Sequence, residues 1–356
     1  MLIYWLLFAG VALPSLLVAD QKTQADRGVR AGLLVAVAAI ALLIGFRFEV
    51  GADWFAYTWM NDFVVNRSLE AALERRISEP GYLVINGLSA LLGGGIWLTN
   101  LLCGTIFGIG LYRLAQTQEQ PWLVVLVAIP YMAIVVAMGY SRQGVALGVL
   151  MMGIADFLGS KSIWRLAAYV ALAALFHRSA IIVFPIVALA APRTPLTKII
   201  IASVLSVALY VVFLEADTNR LIANYIAARY SSQGALIRVL MSFSAALLLF
   251  TARRTLAFDP AEYQLWRNFA VASLLTLVLL AVSPSSTAVD RIAIYLLPLQ
   301  AIVLARVPNR LLREGTGRLA VVLYAFIVLF VWLNYAVHAK YWLPYEFYPL
   351  FEEKRP

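Results

Sequence analysis

The chain has 356 residues, of which 63% are hydrophobic and 13% are charged, and its formal net charge is +9. Soluble globular proteins are about half apolar and about a quarter charged, so this composition excludes a soluble globular protein, and the high apolar content excludes a disordered one. The basic residues are scattered at the ends of apolar runs without a contiguous stripe, which argues against nucleic acid as a partner. We therefore expect one polytopic membrane domain over residues 1–356, with the lipid bilayer as its solvent.

Apolar runs without charge predict an all-α fold with about 12 transmembrane helices. The first run has no basic segment before it and no small-residue cleavage site, so we expect a span rather than a removed signal peptide. In chain order the predicted spans are 1–18, 31–46, 97–112, 122–140, 143–158, 166–176, 179–191, 199–214, 239–252, 268–282, 292–305 and 319–337.

Residues 80–112 form a charge-free run that is long for one span and tight for two. Residues 81–92, which precede three glycines, can form a half-inserted helix before the true span. If they do not cross and residue 1 faces outward, the basic loops 22–30 and 306–318 are cytoplasmic, as the positive-inside rule requires. If they do cross, one of those two loops lies outside. With the first arrangement, the outer loops 47–80 and 215–238 form the extracytoplasmic face.

The first outer loop combines aromatic residues with carboxylates. Aromatic rings such as Trp54 and Trp59 are typical of the belt at the headgroup level of a membrane protein. The carboxylates of Asp53 and Glu79 gain nothing from a headgroup interface. Rings beside carboxylates suit a sugar, which has apolar faces to stack on and hydroxyl groups to hydrogen-bond. The sequence therefore predicts that Asp53, Tyr57 and Glu79 bind an acceptor sugar.

Arg142, Arg178 and Arg291 lie at the outer ends of predicted spans with almost no loop to solvate them. A charge near the bilayer centre costs about 2.5 kcal/mol or more, although snorkelling lowers that cost near the interface. Guanidinium groups bind phosphate bidentately, so we expect these three to bind phosphate; the alternative is that each anchors a helix end in lipid phosphate. Arg47 is a further candidate phosphate ligand, and Arg229 in the second outer loop is a candidate substrate ligand.

His177 is one of two histidines in the chain and lies beside Arg178. An imidazole titrates near neutral pH, and neighbouring cations favour its neutral form, which suits a general base. A hydrogen-bonded structural histidine is the alternative. Asp290 is a candidate substrate ligand, but it can equally pair with Arg291 or cap its helix.

Several motifs of other enzyme classes are missing from the sequence. It contains no HExxH motif, no Cys/His cluster, no Walker-type loop, no GxSxG elbow and no Asp-x-Asp pair. We therefore expect no metal, no nucleotide and no other cofactor. A transferase with this sequence would use a lipid-borne donor, with arginines in the place of a metal ion.

Five segments in order carry a family resemblance: GADWFAY, SEPGY, SRQG, ALFHRSAII and VDRIAIYLLP. Together with the C-terminal LPYEFY, they resemble the EpsG family of Wzy-type exopolysaccharide and O-antigen polymerases, although Trp54 stands where the family pattern has a tyrosine. The resemblance implies a bacterial inner-membrane glycosyltransferase with a GT-C-like helical fold. Such enzymes join oligosaccharide repeat units carried on undecaprenyl pyrophosphate at the periplasmic face. The resemblance implies functional roles for Asp53, Glu79, Arg142, His177, Arg178, Asp290 and Arg291.

The chemistry expected from the residues agrees with this resemblance. Polyprenyl pyrophosphate is a good leaving group when arginines stabilise its developing charge, and direct displacement by the acceptor hydroxyl inverts the anomeric centre. His177 is the first choice for the base, with Asp53 or Glu79 as alternatives. The other functions considered are a lipid-linked oligosaccharide flippase, which needs ionisable residues in mid-span, and a single-transfer ligase or glycosyltransferase. A chain-length regulator is a candidate partner.

Overall fold

The computed structural model describes residues 1–18, 27–190, 194–213, 234–283 and 285–348. Within these ranges every regular element is a helix except two strands of two residues each. The elements are α1 (Leu2–Leu17), α2 (Arg27–Gly45), β1 (Arg47–Phe48), α3 (Trp54–Asn66), α4 (Leu69–Glu74), α5 (Pro80–Leu91), α6 (Gly95–Ala115), α7 (Pro121–Ala128), a π-helix (Ile129–Ala137), α8 (Ser141–Ser160), α9 (Ile163–Ala174), a 3-10 helix (Arg178–Ile182), α10 (Val183–Ala188), α11 (Pro195–Phe213), α12 (Ala235–Thr251), α13 (Pro260–Val282), α14 (Ser286–Ile294), α15 (Pro298–Ala305), α16 (Val307–Arg310), α17 (Glu314–Tyr335), a second 3-10 helix (Val337–Tyr341) and β2 (Glu346–Phe347).

Five of these helices are long and apolar enough to cross a bilayer, counting only the described residues: α2, α6, α8, α13 and α17. The pair α14 and α15 meets the same test as one span, bent by 47° at the break between them. Each of the 12 predicted spans overlaps a helical segment, but several of these helices are shorter than 18 residues. The prediction of an α-helical membrane protein is therefore confirmed, while the count of 12 spans and the GT-C-like class stay predictions.

The chain divides into two compact units. Unit 1 comprises Met1–Val149, Leu175–His177 and Val322–Pro356, and unit 2 comprises Leu150–Ala174 and Arg178–Val321. The chain changes unit after Val149, Ala174, His177 and Val321. The predicted single membrane domain over 1–356 stays a prediction.

In unit 1, α2 and α6 pack against each other in antiparallel orientation through small residues of α6. A Cβ atom on Gly104 would lie 2.9 Å from the Ala41 carbonyl oxygen, and one on Gly108 would lie 2.8 Å from the Val37 side chain. Close approach of this kind is typical of membrane helices, where association depends on van der Waals packing. It fixes α6 as the support on which the neighbouring helices of unit 1 pack.

The C-terminal segment of unit 1 holds the start of the first outer loop. Strand β2 pairs antiparallel with β1, and the amide of Gly51 donates to the Tyr341 carbonyl oxygen at 2.7 Å. Trp342 is fully buried and donates from its indole nitrogen to the Ile134 carbonyl oxygen at 2.7 Å. These bonds anchor the loop directly before α3.

In unit 2, α12 packs against α13, α14 and α15. The 3-10 helix Arg178–Ile182 contacts α14 as well as α9. A buried ion pair joins Glu262 of α13 to Arg306 at 2.6 Å, and the Arg306 guanidinium lies 3.8 Å from the centre of the Phe258 ring.

The predicted outer loops have the following outcomes. Residues 47–80 contain β1, α3 and α4. Within this segment Trp59 is 55% exposed, but Trp54 is buried and packs against Phe48, so the belt interpretation is wrong for Trp54. Of the second loop, 215–238, residues 215–233 lie outside the described residues, and so does the candidate ligand Arg229.

Candidate functional site

Helix α3 carries an acid and a tyrosine of the candidate site in unit 1. Asp53 is the N-cap residue of α3, and Tyr57 follows one turn later with 2% of its surface exposed. Burial, with a smaller contribution from the charge of Asp53, raises the pKa of Tyr57. The tyrosine is therefore a neutral hydroxyl at physiological pH, which can donate a hydrogen bond.

A buried ion pair lies beside Tyr57. Oε2 of Glu79 is 2.6 Å from Nη1 of Arg142, and the Arg142 guanidinium lies 5.7 Å from the centre of the Tyr57 ring. Glu79 is the N-cap residue of α5, and Arg142 lies in the first turn of α8. The carboxylate gains from the positive end of the α5 dipole as well as from the arginine. The side chains are 12% and 25% exposed respectively, so the pair is largely shielded from water.

The electrostatic balance at Glu79 favours its charged form. Burial alone would raise the pKa of this carboxyl group, but the charge of Arg142, with a smaller electrostatic contribution from His177, outweighs burial and holds the pKa below its ordinary value. Glu79 is therefore ionised at neutral pH and engaged by Arg142. This state suits a hydrogen-bond acceptor for a sugar hydroxyl better than it suits a general base.

His177 joins the same cluster through a different contact. Its Nε2 atom lies 3.3 Å from Nε2 of Gln143, the residue after Arg142, and His177 is 6% exposed. The backbone amide of Gly81 donates to the Leu175 carbonyl oxygen at 2.8 Å, which ties the first turn of α5 to the segment that carries His177. Tyr57, Glu79, Arg142, Gln143 and His177 thus form one group, called here the unit 1 cluster.

Arg142 has an unused hydrogen-bond donor. Its Nη1 atom bonds Glu79 and makes a longer bond of 3.4 Å to the Ser78 hydroxyl. Its Nε atom is buried and has no hydrogen-bond partner in the described part of the chain. A buried charged nitrogen without an acceptor is costly, so this atom is suited to an oxygen of a bound molecule.

Arg47 is buried and hydrogen-bonded to oxygens of the protein itself. It is 1% exposed, and its three nitrogens donate to neighbouring oxygens: Nε to Val50 O at 3.0 Å, Nη1 to Ile44 O at 2.6 Å, and Nη2 to Asn100 Oδ1 and Ser141 Oγ. These bonds join the loop after α2 to α6 and α8. These bonds hold the scaffold under the cluster, and the expected role of Arg47 as a phosphate ligand stays a prediction.

The remaining predicted site residues lie in unit 2. Asp290 forms a buried ion pair with Arg238 of α12. The alternative that Asp290 caps its helix is wrong, because α14 begins at Ser286 and Asp290 lies inside it. Arg178 opens the 3-10 helix that contacts α14, the helix that carries Arg291, so the structure brings these two segments together.

Sequence reasoning missed some members of these sites. Tyr82 is fully buried with its ring 5.4 Å from that of Tyr57, and Gln143 contacts His177. No sequence pattern predicts the pairing of Arg238 with Asp290. Tyr82 is the tyrosine of SEPGY and Gln143 is the glutamine of SRQG. Their place inside these family motifs is the sequence feature that could have indicated them as site residues. In the described residues, no three His, Cys, Asp or Glu side chains meet as a metal-binding group.

Comparison with known proteins adds one finding. No curated protein and no solved structure matches the chain. The model of the EpsG family matches residues 31–347, which include every described member of the unit 1 cluster. Because this match covers most of the chain, the chain belongs to the EpsG family.

Proposed function

We propose that this protein is a polysaccharide polymerase that joins oligosaccharide repeat units carried on undecaprenyl pyrophosphate. Membership of the EpsG family supports a polymerase-type role in polysaccharide biosynthesis, and the five long apolar helices support a multi-pass membrane protein. The proposed reaction is an inverting, metal-independent glycosyl transfer. The acceptor hydroxyl attacks the anomeric carbon, the bond from that carbon to the pyrophosphate oxygen breaks, and the pyrophosphate leaves with the electron pair.

The observation that carries this proposal is the arrangement of Arg142. Glu79 fixes one edge of its guanidinium, while the buried Nε atom has no protein partner in the described residues. Glu79 holds the guanidinium in one orientation, and a small movement that opens the site would bring Nε–H to a phosphoryl oxygen; an oriented donor of this kind is worth about 3 kcal/mol in a transition state. We propose that this nitrogen stabilises the charge that develops on the leaving pyrophosphate.

The acceptor hydroxyl requires a base, and His177 is the proposed one. The amide nitrogen of Gln143 lies 3.3 Å from Nε2 of His177 and donates to it, so in the neutral ring Nε2 carries the lone pair and Nδ1 carries the proton. An imidazole in this tautomer can take the proton of the attacking hydroxyl. Asp53, Tyr57 and Glu79 are proposed to hold the acceptor sugar by hydrogen bonds and ring contact.

The unit 2 residues keep their proposed roles. Arg178 and Arg291 are proposed phosphate ligands, and Asp290 and Arg229 are proposed substrate ligands. The finer topology is also proposed: about 12 spans in a GT-C-like arrangement, in a bacterial inner membrane, with the unit 1 cluster on the periplasmic side. A chain-length regulator is the proposed protein partner.

Polymer length in cells that lack the native copy tests the roles of Arg142, His177 and Arg178. We expect Arg142→Ala, His177→Ala and Arg178→Ala to abolish long polymer, with a loss of about 100-fold in rate for one missing charge-stabilising donor. Arg142→Lys is the decisive variant, because lysine preserves the charge beside Glu79 but lacks Nε–H and the planar fork. It should accumulate to the normal level and still lose most activity.

The matched control is Arg67→Ala, which removes an exposed arginine from the end of α3. It should give polymer of wild-type length. Normal polymer from Arg142→Lys would contradict the role proposed for Nε, and normal polymer from all three alanine variants at normal protein levels would contradict the proposed site.

A further inference from the structure

Arg142 follows a sharp turn between two helices of unit 1. The π-helix ends at Ala137 and α8 begins at Ser141, so only residues 138–140 connect them. A Cβ atom on Gly144, in the first turn of α8, would lie 2.6 Å from Cα of Ala137, so α8 folds back closely on the end of the π-helix. Because the link is this short, a shift of the turn moves Arg142 with it.

The indole ring of Trp342 covers this turn. A Cβ atom on Gly139 would overlap Cζ2 of the Trp342 indole and would lie 2.6 Å from its Cη2 atom. The ring of Tyr140, the next residue, meets the indole at an angle of 63° with the ring centres 6.3 Å apart. The indole therefore packs on the bare backbone of Gly139, in space that a side chain at this position would need.

Trp342 also bonds to the helix that precedes the turn. It is fully buried, and its Nε1 atom donates to the carbonyl oxygen of Ile134 at 2.7 Å, in the last turn of the π-helix. The hydroxyl of Tyr4 in α1 donates to the Trp342 carbonyl oxygen at 2.8 Å, which holds the tryptophan itself in place. One rigid side chain thus fixes both the end of the π-helix and the turn that follows it.

The loop between β1 and α3 contacts the same turn. The amide of Gly51 donates to the Tyr341 carbonyl oxygen at 2.7 Å, directly before Trp342. A Cβ atom on Gly51 would lie 3.0 Å from Cα of Gly139. Gly51 also has a φ angle of 109°, which favours glycine. The backbone of this loop and the C-terminal segment therefore hold the turn together.

We propose that Trp342 is a positioning residue for Arg142 and acts through the turn at residues 138–140. The indole fixes the turn, and the turn sets where the guanidinium meets Glu79. The distance of 2.6 Å between Arg142 Nη1 and Glu79 Oε2 allows little displacement before the hydrogen bond is lost. The consequence for catalysis rests on the proposed function of Arg142, whereas the positioning does not.

Thermodynamic coupling between Trp342 and Glu79 tests the proposal in the full-length protein purified in detergent. Glu79→Gln removes the charge that engages Arg142, so it should lower the midpoint of thermal unfolding of the wild type. In a Trp342→Phe background the guanidinium is no longer held in place, and the same change should lower the midpoint by less than half as much. Two additive losses would overturn the proposal, because a tryptophan that only stabilised the fold would leave the ion pair intact.

Trp266→Phe is the matched control for a general loss of stability. Trp266 is also fully buried and donates from its indole nitrogen, to Glu262 at 3.3 Å, but it belongs to unit 2. In this background Glu79→Gln should lower the midpoint as much as it does in the wild type. An equal reduction of the Glu79→Gln effect in both tryptophan variants would overturn the proposal.

Gly139→Ala disturbs the same contact from the other side. Its methyl group overlaps the indole, so this variant alone should accumulate poorly in the membrane. The smaller ring of Trp342→Phe leaves room for the methyl group, so the double variant should accumulate at least as well as Trp342→Phe alone. Lower accumulation of the double variant than of either single variant would overturn the proposal, even where the single variants fold poorly.

Polymerisation by Trp342→Phe separates the positioning from the proposed function. A displaced Arg142 should lower kcat by up to about 100-fold and leave KM unchanged, since the charge on the leaving group develops only in the transition state. Normal kcat together with lost coupling to Glu79 would support the positioning and contradict the catalytic role proposed for Arg142. Additive midpoints would overturn the positioning whatever the rate.

Discussion

Two arginines of unit 1 differ in their partners, and Arg47 is the more deeply buried of the two. Arg47 donates only to neutral oxygens of backbone, amide and hydroxyl groups, and each of its three nitrogens has such a partner. Arg142 has a carboxylate on one side and a buried Nε atom with no partner in the described residues. A guanidinium whose nitrogens all donate to protein oxygens must break hydrogen bonds to bind an anion. One with an N–H group that has no acceptor can bind an incoming anion without breaking any. This difference separates a structural arginine from a candidate ligand.

At the residue scale, the Glu79→Gln variant should be less stable than the wild type by an amount that depends on pH. Because the folded pKa of Glu79 lies below its ordinary value, the stabilisation by its charge is present above about pH 4.5. It is lost as the pH falls through the lower folded value. At pH 7 the variant should lose about 2 kcal/mol, the value for a charge-assisted hydrogen bond between partly exposed groups. Thermal unfolding in detergent measures this as a midpoint lower by a few degrees.

The control for this variant is Glu74→Gln, which changes an exposed carboxylate at the end of α4. Its midpoint should follow the wild type at every pH. The midpoints of Glu79→Gln and wild type should converge only in acid, below about pH 4.5. A constant difference between them down to pH 3 would show that the charge of Glu79 is not the source of the stability.

At the element scale, α6 and α8 approach each other closely because of glycine. A Cβ atom on Gly148 would lie 2.6 Å from Cα of Phe107 and 2.8 Å from the Ile106 carbonyl oxygen. Backbone atoms cannot move aside as the end of a side chain can. This contact sets the position of α8 against α6, and with it the position of Arg142 at the start of α8.

Gly148→Val should therefore destabilise the protein by about 3 kcal/mol or more, the upper range for overpacking. We expect a low yield of folded protein in the membrane and an early thermal transition in detergent. Gly159→Val is the matched control, since it places the same side chain in the same helix where nothing lies within 4 Å. Equal yields and equal transitions for the two variants would contradict the packing assigned to Gly148.

The ends of the helices can be predicted from the sequence only where a charged residue marks the end of a span. The run 143–158 was predicted, but α8 begins at Ser141 because Glu79 neutralises Arg142 inside the protein. The run 268–282 was predicted because Arg267 ends the charge-free stretch, but α13 begins at Pro260 and contains both Arg267 and Glu262, which pairs with Arg306. A charge-free criterion shortens a helix wherever its terminal charge has a buried partner. The pairing of β1 with β2, almost 300 residues apart, leaves no local signal at all.

At the scale of the whole molecule, membrane character follows from composition, whereas the site depends on contacts between distant residues. Glu79 and Arg142 are 63 residues apart, and no periodicity connects them. The sequence indicates them as site residues only because they are charged residues near span ends and because they lie in the ordered family motifs. The contact between Gln143 and His177, and the partner of Asp290, required the fold. Pairing of buried charges is the common rule in both units, because an unpaired charge in a membrane is expensive.

Purified protein in liposomes, supplied with a single synthetic lipid-linked repeat unit, tests the activity of the molecule as a whole. A polymerase uses its own product as the next donor, so a ladder of products should appear, one repeat unit apart. A chelator of divalent cations should leave the ladder unchanged, since guanidinium groups are proposed to carry the charge stabilisation. Arg142→Lys should shorten the ladder to starting material, and Arg67→Ala should reproduce the wild type. A single addition would instead indicate a ligase or simple transferase, and unmodified lipid moved between leaflets would indicate a flippase; either result would contradict the proposed polymerase.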